Sequence, residues 1–292
     1  MQHLNPQTLA VINLSKEERI NSMRSPVWIG YTKANQALQK MNVFLNYPKK
    51  DRMPNLLLVG DTNNGKTTII NRFHQKHPSI TDEESGKMEL PVFLMQAPPV
   101  PDETRFINAI LEKLFAPYKE RERPDKKLFQ AIKIFKLLKT RLIILDEIHN
   151  IIAGSTTKQK QFLNALKYLC NELKVSIVGV GTKDAFNAIN TDPQLSNRFE
   201  PFVLPRWEMN EEYLRLLLSF EQTLPLKKPS GLTESSLANK ILGMSEGTIG
   251  EITTILTEAA VIGIERGAEQ ITTKTFEQLD YTPPSKRKNI TL

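Results

Sequence analysis

Eight consecutive residues, Gly60, Asp61, Thr62, Asn63, Asn64, Gly65, Lys66 and Thr67, fit the pattern G-x-x-x-x-G-K-[ST] without deviation. The chemistry of that spacing is phosphate binding. Gly60 and Gly65 let the backbone turn tightly, so that successive N–H groups face a triphosphate, and the helix that follows presents its positive N-terminal end. Lys66 is placed to reach the β- and γ-phosphates of a nucleotide and the Thr67 hydroxyl to ligate Mg²⁺, with Thr68 beside it at the helix start. The apolar run Leu56–Val59 before the loop and the helical pattern Thr67–His74 after it supply the strand–loop–helix context that the motif requires.

A second cluster lies in "RLIILDEIH". Four apolar residues carry Asp146 to the C-terminal end of a strand, where open α/β sheets hold ligands. Asp146 is placed to hold Mg²⁺ and Glu147 to polarise an attacking water. His149 reads as a surface or packing residue. "VGVGT" ends a later strand on Thr182, a candidate partner for the γ-phosphate or the attacking water. In "QLSNRFE", Arg198, between Pro193 and Phe199, is a candidate for insertion into a neighbouring molecule's site, where an arginine stabilises transferred phosphoryl charge.

These residues need a scaffold, and the pattern along the chain predicts one. Short apolar strands at Leu56–Val59, "ELPVFLMQAP", "RLIILDEIH", "VSIVGVGT" and "FEPFVLPRW" alternate with helical segments, which indicates a parallel sheet covered on both faces. Asp102 is the expected N-cap of "DETRFINAILEKLF", and a helix is expected from Leu128 to Lys139. After Asn210 the strand signal stops and three helices and a short fourth follow. The expected fold class is α/β, a P-loop NTPase core followed by a small helical lid. The expected domains are an N-terminal helical extension (1–50), the α/β core (51–206), the helical lid (207–280) and a mobile basic tail (281–292).

Bulk properties narrow the setting. The net charge of +7 raises the expectation of a polyanionic partner. Cys170 is the sole cysteine, which excludes an intramolecular disulfide and a cysteine-rich metal site, and the four histidines lack zinc-ligand spacing. No apolar stretch has the length of a membrane helix, and the N-terminus lacks a signal-peptide h-region, so the expected location is a reducing cytoplasm, away from membranes.

The order of phosphate loop, DE-terminated strand, threonine-terminated strand, arginine before Phe and helical lid resembles an AAA+ ATPase. The stretches "RSPVWIGYTKANQALQKMN", "RMPNLLLVGDTNNGKTTIINRF", "LIILDEIHNIIAGS", "NALKYLCNELKVSIVGVGT" and "QLSNRFEPFVLPRW" resemble the TniB/TnsC family of transposition ATPases, over roughly residues 20 to 280. The resemblance implies an ATP-dependent, DNA-binding regulator of a DDE transposase. Such a regulator polymerises on target duplex DNA as a ring or filament, recruits the transposase, works with a target-selection adaptor of the TniQ type and disassembles on ATP hydrolysis. It implies Gly60, Gly65, Lys66 and Thr67 as the phosphate loop, Asp146 and Glu147 as the Mg²⁺/water pair, Thr182 as the first sensor and Arg198 as the trans-acting arginine. One departure stands out. Related initiator-type ATPases place an arginine in the lid just after a glycine, whereas here Gly250 is followed by Glu251 and no arginine comes before Arg266. This departure leaves the second sensor open and implies modest hydrolysis, or a lid geometry governed by packing alone.

No segment resembles a winged helix or a zinc finger. The candidate DNA contacts are Thr104 and Arg105 at a helix N-terminus, and Lys119, Arg121 and Arg123, with Lys126 and Lys127, on the loop "YKERERPDKK". Contacts of this kind go to the phosphate backbone and carry no direct sequence information. Two other readings share the nucleotide core: a helicase-loader or insertion-sequence helper ATPase, and a nucleotide-gated scaffold with no DNA role.

Overall fold

A computed structural model describes residues 2–25, 27–84, 86–190 and 197–287; Pro193 and residues 288–292, on which sequence readings fall, lie outside the described residues. The chain divides into an α/β unit, Lys33–Thr62 with Lys66–Leu204, and a helical unit, Met1–Thr32 with Asn63–Gly65 and Pro205–Leu292.

In the α/β unit, β1 (Asn55–Gly60), β4 (Val92–Gln96), β5 (Leu142–Asp146), β6 (Ser176–Gly181) and β7 (Phe199–Leu204) form one parallel sheet in the order β4-β5-β6-β1-β7. Strands β1, β5 and β6 are buried along their whole length, as expected of central strands covered on both faces. The register pairs Val59 with Gly181 and Leu145 with Gly179, so the C-terminal ends of the three strands lie along one edge of the sheet. The buried Asn55 side chain accepts from Ile177 N at 2.9 Å, tying β1 to β6 where the ladder begins. Around the sheet lie α4 (Lys66–Lys76), α5 (Glu103–Lys113), α6 (Pro124–Leu137), α7 (Thr156–Leu173) and α8 (Lys183–Asn190). Helix α5 shows why they pack there. Phe106, Ile107, Ile110 and Leu111 recur at helical spacing and are all buried, and Asp102 caps the helix by accepting from Arg105 N.

Three local features differ from the sequence expectation. Helix α6 starts at Pro124, four residues before Leu128, because proline at the first helical position brings a ready-made φ. A short hairpin of β2 (Ile80–Asp82) and β3 (Lys87–Glu89) stands where no strand was expected; its residues are mostly exposed and carry no alternating pattern to detect. Lys127 is not on a solvated loop. It lies in α6, fully buried, and its Nζ donates to Asn108 Oδ1 (3.0 Å) and Glu120 O (2.9 Å) while sitting over the Tyr118 ring. It anchors the basic loop to α5 and is withdrawn from the candidate DNA contacts.

The helical unit is built on α9 (Glu211–Thr223), α10 (Ser235–Ser245), α11 (Ile249–Glu265) and α12 (Thr273–Glu277). Its core is a single apolar cluster that includes Tyr213, Leu217, Ile252, Ile255 and Leu256. Of the N-terminal segment, α1 (Pro6–Val11), capped by Asn5, and α2 (Lys16–Arg24), which lies against α11, join this unit, while α3 (Thr32–Leu45) falls almost wholly in the α/β unit. Glu221 holds the turn after α9 by accepting from the N–H groups of Ser230, Gly231 and Leu232 at 2.7–3.0 Å. Within the tail, Pro284–Arg287 form a short helix, α13, whose arginine pairs with the buried carboxylate of Glu251.

Arg19 is 2% exposed and grips both oxygens of Glu269 while donating to Pro225 O. The Arg19 guanidinium, against an opposing effect of burial, holds the Glu269 carboxyl below its ordinary 4.5. A depressed carboxylate contributes its full stabilisation above pH 4.5 and loses it as pH falls through the depressed value. Both tryptophans, Trp28 and Trp207, belong to this unit, so their fluorescence reports on it. Glu269→Ala is expected to lower the stability seen by tryptophan fluorescence by about 3 kcal/mol at neutral pH, because it strands a buried guanidinium. The same variant is expected to flatten the acid-unfolding curve below pH 4.5.

Candidate active site

At the C-terminal edge of the sheet, the α/β unit brings together Gly60, Asp61, Lys66, Thr67, Asp146, Glu147 and Thr182. Lys66 is almost fully buried at the start of α4 and donates to Gly60 O (2.9 Å) and Asp61 O (2.7 Å). Burial lowers its pKa, opposed by the negative charges of Glu147, Asp146 and Asp61. The Thr67 hydroxyl donates to Asp146 Oδ2 at 2.8 Å across the strand ends, which puts a hydroxyl and a carboxylate side by side. That pair fits Mg²⁺, a hard cation that takes one or two protein oxygens and completes its shell from phosphate and water. Thr62, within the loop, and Thr68, just after it, are exposed.

Glu147 sits in the left-handed region at φ 55°, a conformation that costs a non-glycine residue roughly 1–3 kcal/mol. Its neighbours hold it there. Its N–H donates to Asp146 Oδ1 (2.9 Å), its carbonyl accepts from Asn150 N, and the next residue, Ile148, is buried against β6. The glycines of "VGVGT" make room for that anchor: a Cβ at Gly179 would lie 2.9 Å from Ile148 Cδ1, and one at Gly181 3.2 Å from its Cγ2. Alternating glycines in a central strand signal such a close approach, which the sequence reading left unused. His149, read as a surface or packing residue, lies beside the Glu147 carboxylate. Its Nε2 lies 3.1 Å from Glu147 Oε2, so the part-buried ring contacts the carboxylate. The Thr182 hydroxyl is buried with no hydrogen-bond partner among the described residues, at the end of β6 beside this cluster. An orphaned donor here fits a phosphate oxygen or a water as its ligand.

The middle of the phosphate loop belongs to the helical unit. Asn63 (φ 60°) and Gly65 (φ 78°) are left-handed, which turns successive N–H groups inward, the arrangement that makes an anion-binding nest. Asn64 is buried, and its side chain donates to Pro205 O at 3.0 Å. Gly250 N donates to Asn63 O, and Asn63 Nδ2 donates to Glu251 Oε1, each at 3.0 Å.

Arg198 is not among these residues. It precedes β7, its carbonyl accepting from Asn55 N and its guanidinium donating to Asn171. That is the N-terminal end of the sheet, a strand length of six residues, about 20 Å, from the edge that bears the phosphate loop. Around it lies a cleft of about 770 Å³ lined by Lys50, Arg52, Lys167 and Arg198, with Glu200 the acidic member. Of the candidate DNA contacts, Arg105, Lys119, Arg121 and Arg123 are exposed and Thr104 is half-buried in the first turn of α5; Arg123 pairs with Asp125 at 2.9 Å. No helix among the described residues is long and apolar enough to cross a membrane.

A search of the curated proteins by sequence finds no match. Among solved structures, the fold is similar to the Orc1 protein of Aeropyrum pernix in complex with DNA (18% identity, TM-score 0.57, 84% of this chain and 63% of that one). It is also similar to the ORC2 protein of the same organism in its ADPNP-ADP complexes (15%, TM-score 0.62, 92% and 72%) and to a Walker-type ATPase of Pyrococcus abyssi (14%, TM-score 0.52, 83% and 71%). The chain thus spans less than two thirds of the length of the first. The fold is that of an AAA+ P-loop NTPase, with a parallel five-stranded sheet and a C-terminal helical region. The family model for the bacterial TniB protein matches residues 19–209, a stretch that contains the phosphate loop, the carboxylate pair, Thr182 and Arg198. The chain belongs to the TniB family.

Proposed function

We propose that the chain is an ATP-gated regulator of transposition that assembles on duplex DNA as a ring or helical oligomer. In this reading it recruits a DDE transposase, works with a TniQ-type adaptor and leaves the DNA on hydrolysis. The observation that carries it is the placement of Arg198. A cationic cleft at the end of the sheet opposite the phosphate loop suits another copy's triphosphate and is out of reach of its own. The site is thereby completed only in an oligomer, and the family supplies the setting of transposition.

The chemistry follows from the residues. The loop N–H groups and Lys66 bind the β- and γ-phosphates. Thr67 and Asp146 would hold Mg²⁺, which, when bound, neutralises charge between those phosphates. Glu147 orients and polarises the attacking water, held in its strained backbone by Ile148 and touched by His149. Thr182 offers its unpartnered hydroxyl to the γ-phosphate or that water. The +7 net charge and the exposed Lys119, Arg121 and Arg123 support phosphate-backbone contacts with DNA, with Thr104 and Arg105 at the α5 N-terminus. DNA is also present with Aeropyrum pernix Orc1, a protein of similar fold.

Glu147→Gln is expected to keep ATP binding and cut turnover by at least about 10²-fold, the scale of a lost general base. With ATP it should give persistent rings or filaments on linear duplex in negative-stain images. Monomers under every nucleotide condition would overturn the assembly reading. The trans role is checked by mixing. Arg198→Ala and Lys66→Ala are each expected to be inactive alone, yet a mixture should regain part of the ATPase, since one copy supplies the intact loop and the other the arginine. Replacing Arg121 and Arg123 together by alanine should weaken binding to all duplex sequences and reduce the slope of log affinity against log salt by about 2.

A further inference from the structure

The lid position where an initiator-type arginine was missing holds Glu251, and the structure brings an arginine to it from elsewhere. Glu251 is 5% exposed in the first turn of α11, and both of its oxygens are occupied. Oε1 accepts from Asn63 Nδ2 (3.0 Å) and Arg287 Nη1 (2.9 Å); Oε2 accepts from Arg287 Nη2 (2.7 Å) and Tyr281 Oη (2.5 Å). The Arg287 guanidinium also lies over the Tyr281 ring, 5.3 Å from its centre, and its Nε donates to Thr282 O. The hydrogen bond from Arg287 is the leading cause that holds the Glu251 carboxyl below its ordinary value, with those from Tyr281 and Asn63 adding to it against burial. The residue at the far side of this carboxylate is Asn63, whose left-handed backbone shapes the phosphate loop. The contact is close enough to demand Gly250, since a Cβ there would lie 1.9 Å from Asn63 Oδ1.

We propose that Arg287 is a positioning residue for nucleotide binding: it fixes Glu251, which holds Asn63 and so keeps the phosphate loop in its binding shape. The tail does for the loop what a lid arginine contacting nucleotide does elsewhere, one residue removed from the phosphate. Tyr281 supports the same carboxylate, and Arg287 supplies the orientation, because its fork engages both oxygens at once. The inference rests on the nucleotide site described above.

The test uses the full chain, with equilibrium titration of a fluorescent ATP analogue, steady-state ATPase and thermal melting. The variants are Arg287→Ala, Arg287→Lys, Asn63→Ala and the double variant Asn63→Ala/Arg287→Ala. Arg287→Ala is expected to raise Kd for nucleotide and KM for ATP on the order of tenfold, a coupling of ordinary size. Its kcat should stay within about twofold of the parent, as for loss of uniform binding. Arg287→Lys should recover part of the affinity. Asn63→Ala, which leaves the Arg287–Glu251 pair in place, should weaken binding similarly, and the double variant should bind no more weakly than Asn63→Ala alone. Unchanged affinity in Arg287→Ala, or penalties that simply add, would overturn the proposal. If the parent chain binds no nucleotide, or Lys66→Ala binds it equally well, the nucleotide-site reading fails instead.

Discussion

The parallel pairing of β1 between β6 and β7 is the constraint on which the rest depends. With Val59 opposite Gly181, and Gly179 opposite Leu145, the register sets the end of β1 beside the ends of β6 and β5. A slip of one residue would turn every apolar side chain of β1 to the other face and carry Gly60 out of line with Asp146. Asn55, at the start of β1, guards against that by spending its side-chain oxygen on Ile177 N. The 2.8 Å contact of Thr67 with Asp146 is a downstream result of this alignment, since neither residue is near the other in sequence.

A second theme is backbone held in unfavourable conformations by side chains that are themselves buried. Asn63, Gly65 and Glu147 all have positive φ. Gly65 adopts it freely, and Asn63 tolerates it as its residue type often does. Glu147 has neither advantage, so its neighbour Ile148 must be wedged against two glycines of β6. Around the nucleotide site, then, glycine serves in two ways: as a turn residue in the loop, and as a missing side chain that lets another residue dock.

How much of this was legible in the sequence depended on how local the signal was. The phosphate loop, the carboxylate pair and the strand ends are set by contiguous residues, and their strand–loop–helix context is written beside them. Arg198 could be singled out from its motif, but its distance from the loop required the strand register. What escaped were contacts between distant segments. Arg19 meets Glu269, and Arg287 meets Glu251 from 36 residues away, because buried carboxylates attract guanidinium groups wherever the chain brings them. Lys127 escaped for another reason: its charge suggested solvent, but its stem could be buried once Nζ found two oxygens and a ring.

The separation of Arg198 from the phosphate loop has a geometric consequence for the proposed assembly. A contact that joins one end of a sheet to the opposite end of the next is heterologous, and repeating it makes a row in which every copy points the same way. Such a row is a vector: one terminus presents an unfilled arginine cleft, the other an uncompleted phosphate loop. Laid along a duplex, such an assembly would give a symmetric double helix a front and a back. A protein that binds only one of those termini would thereby be told on which side of the row to act.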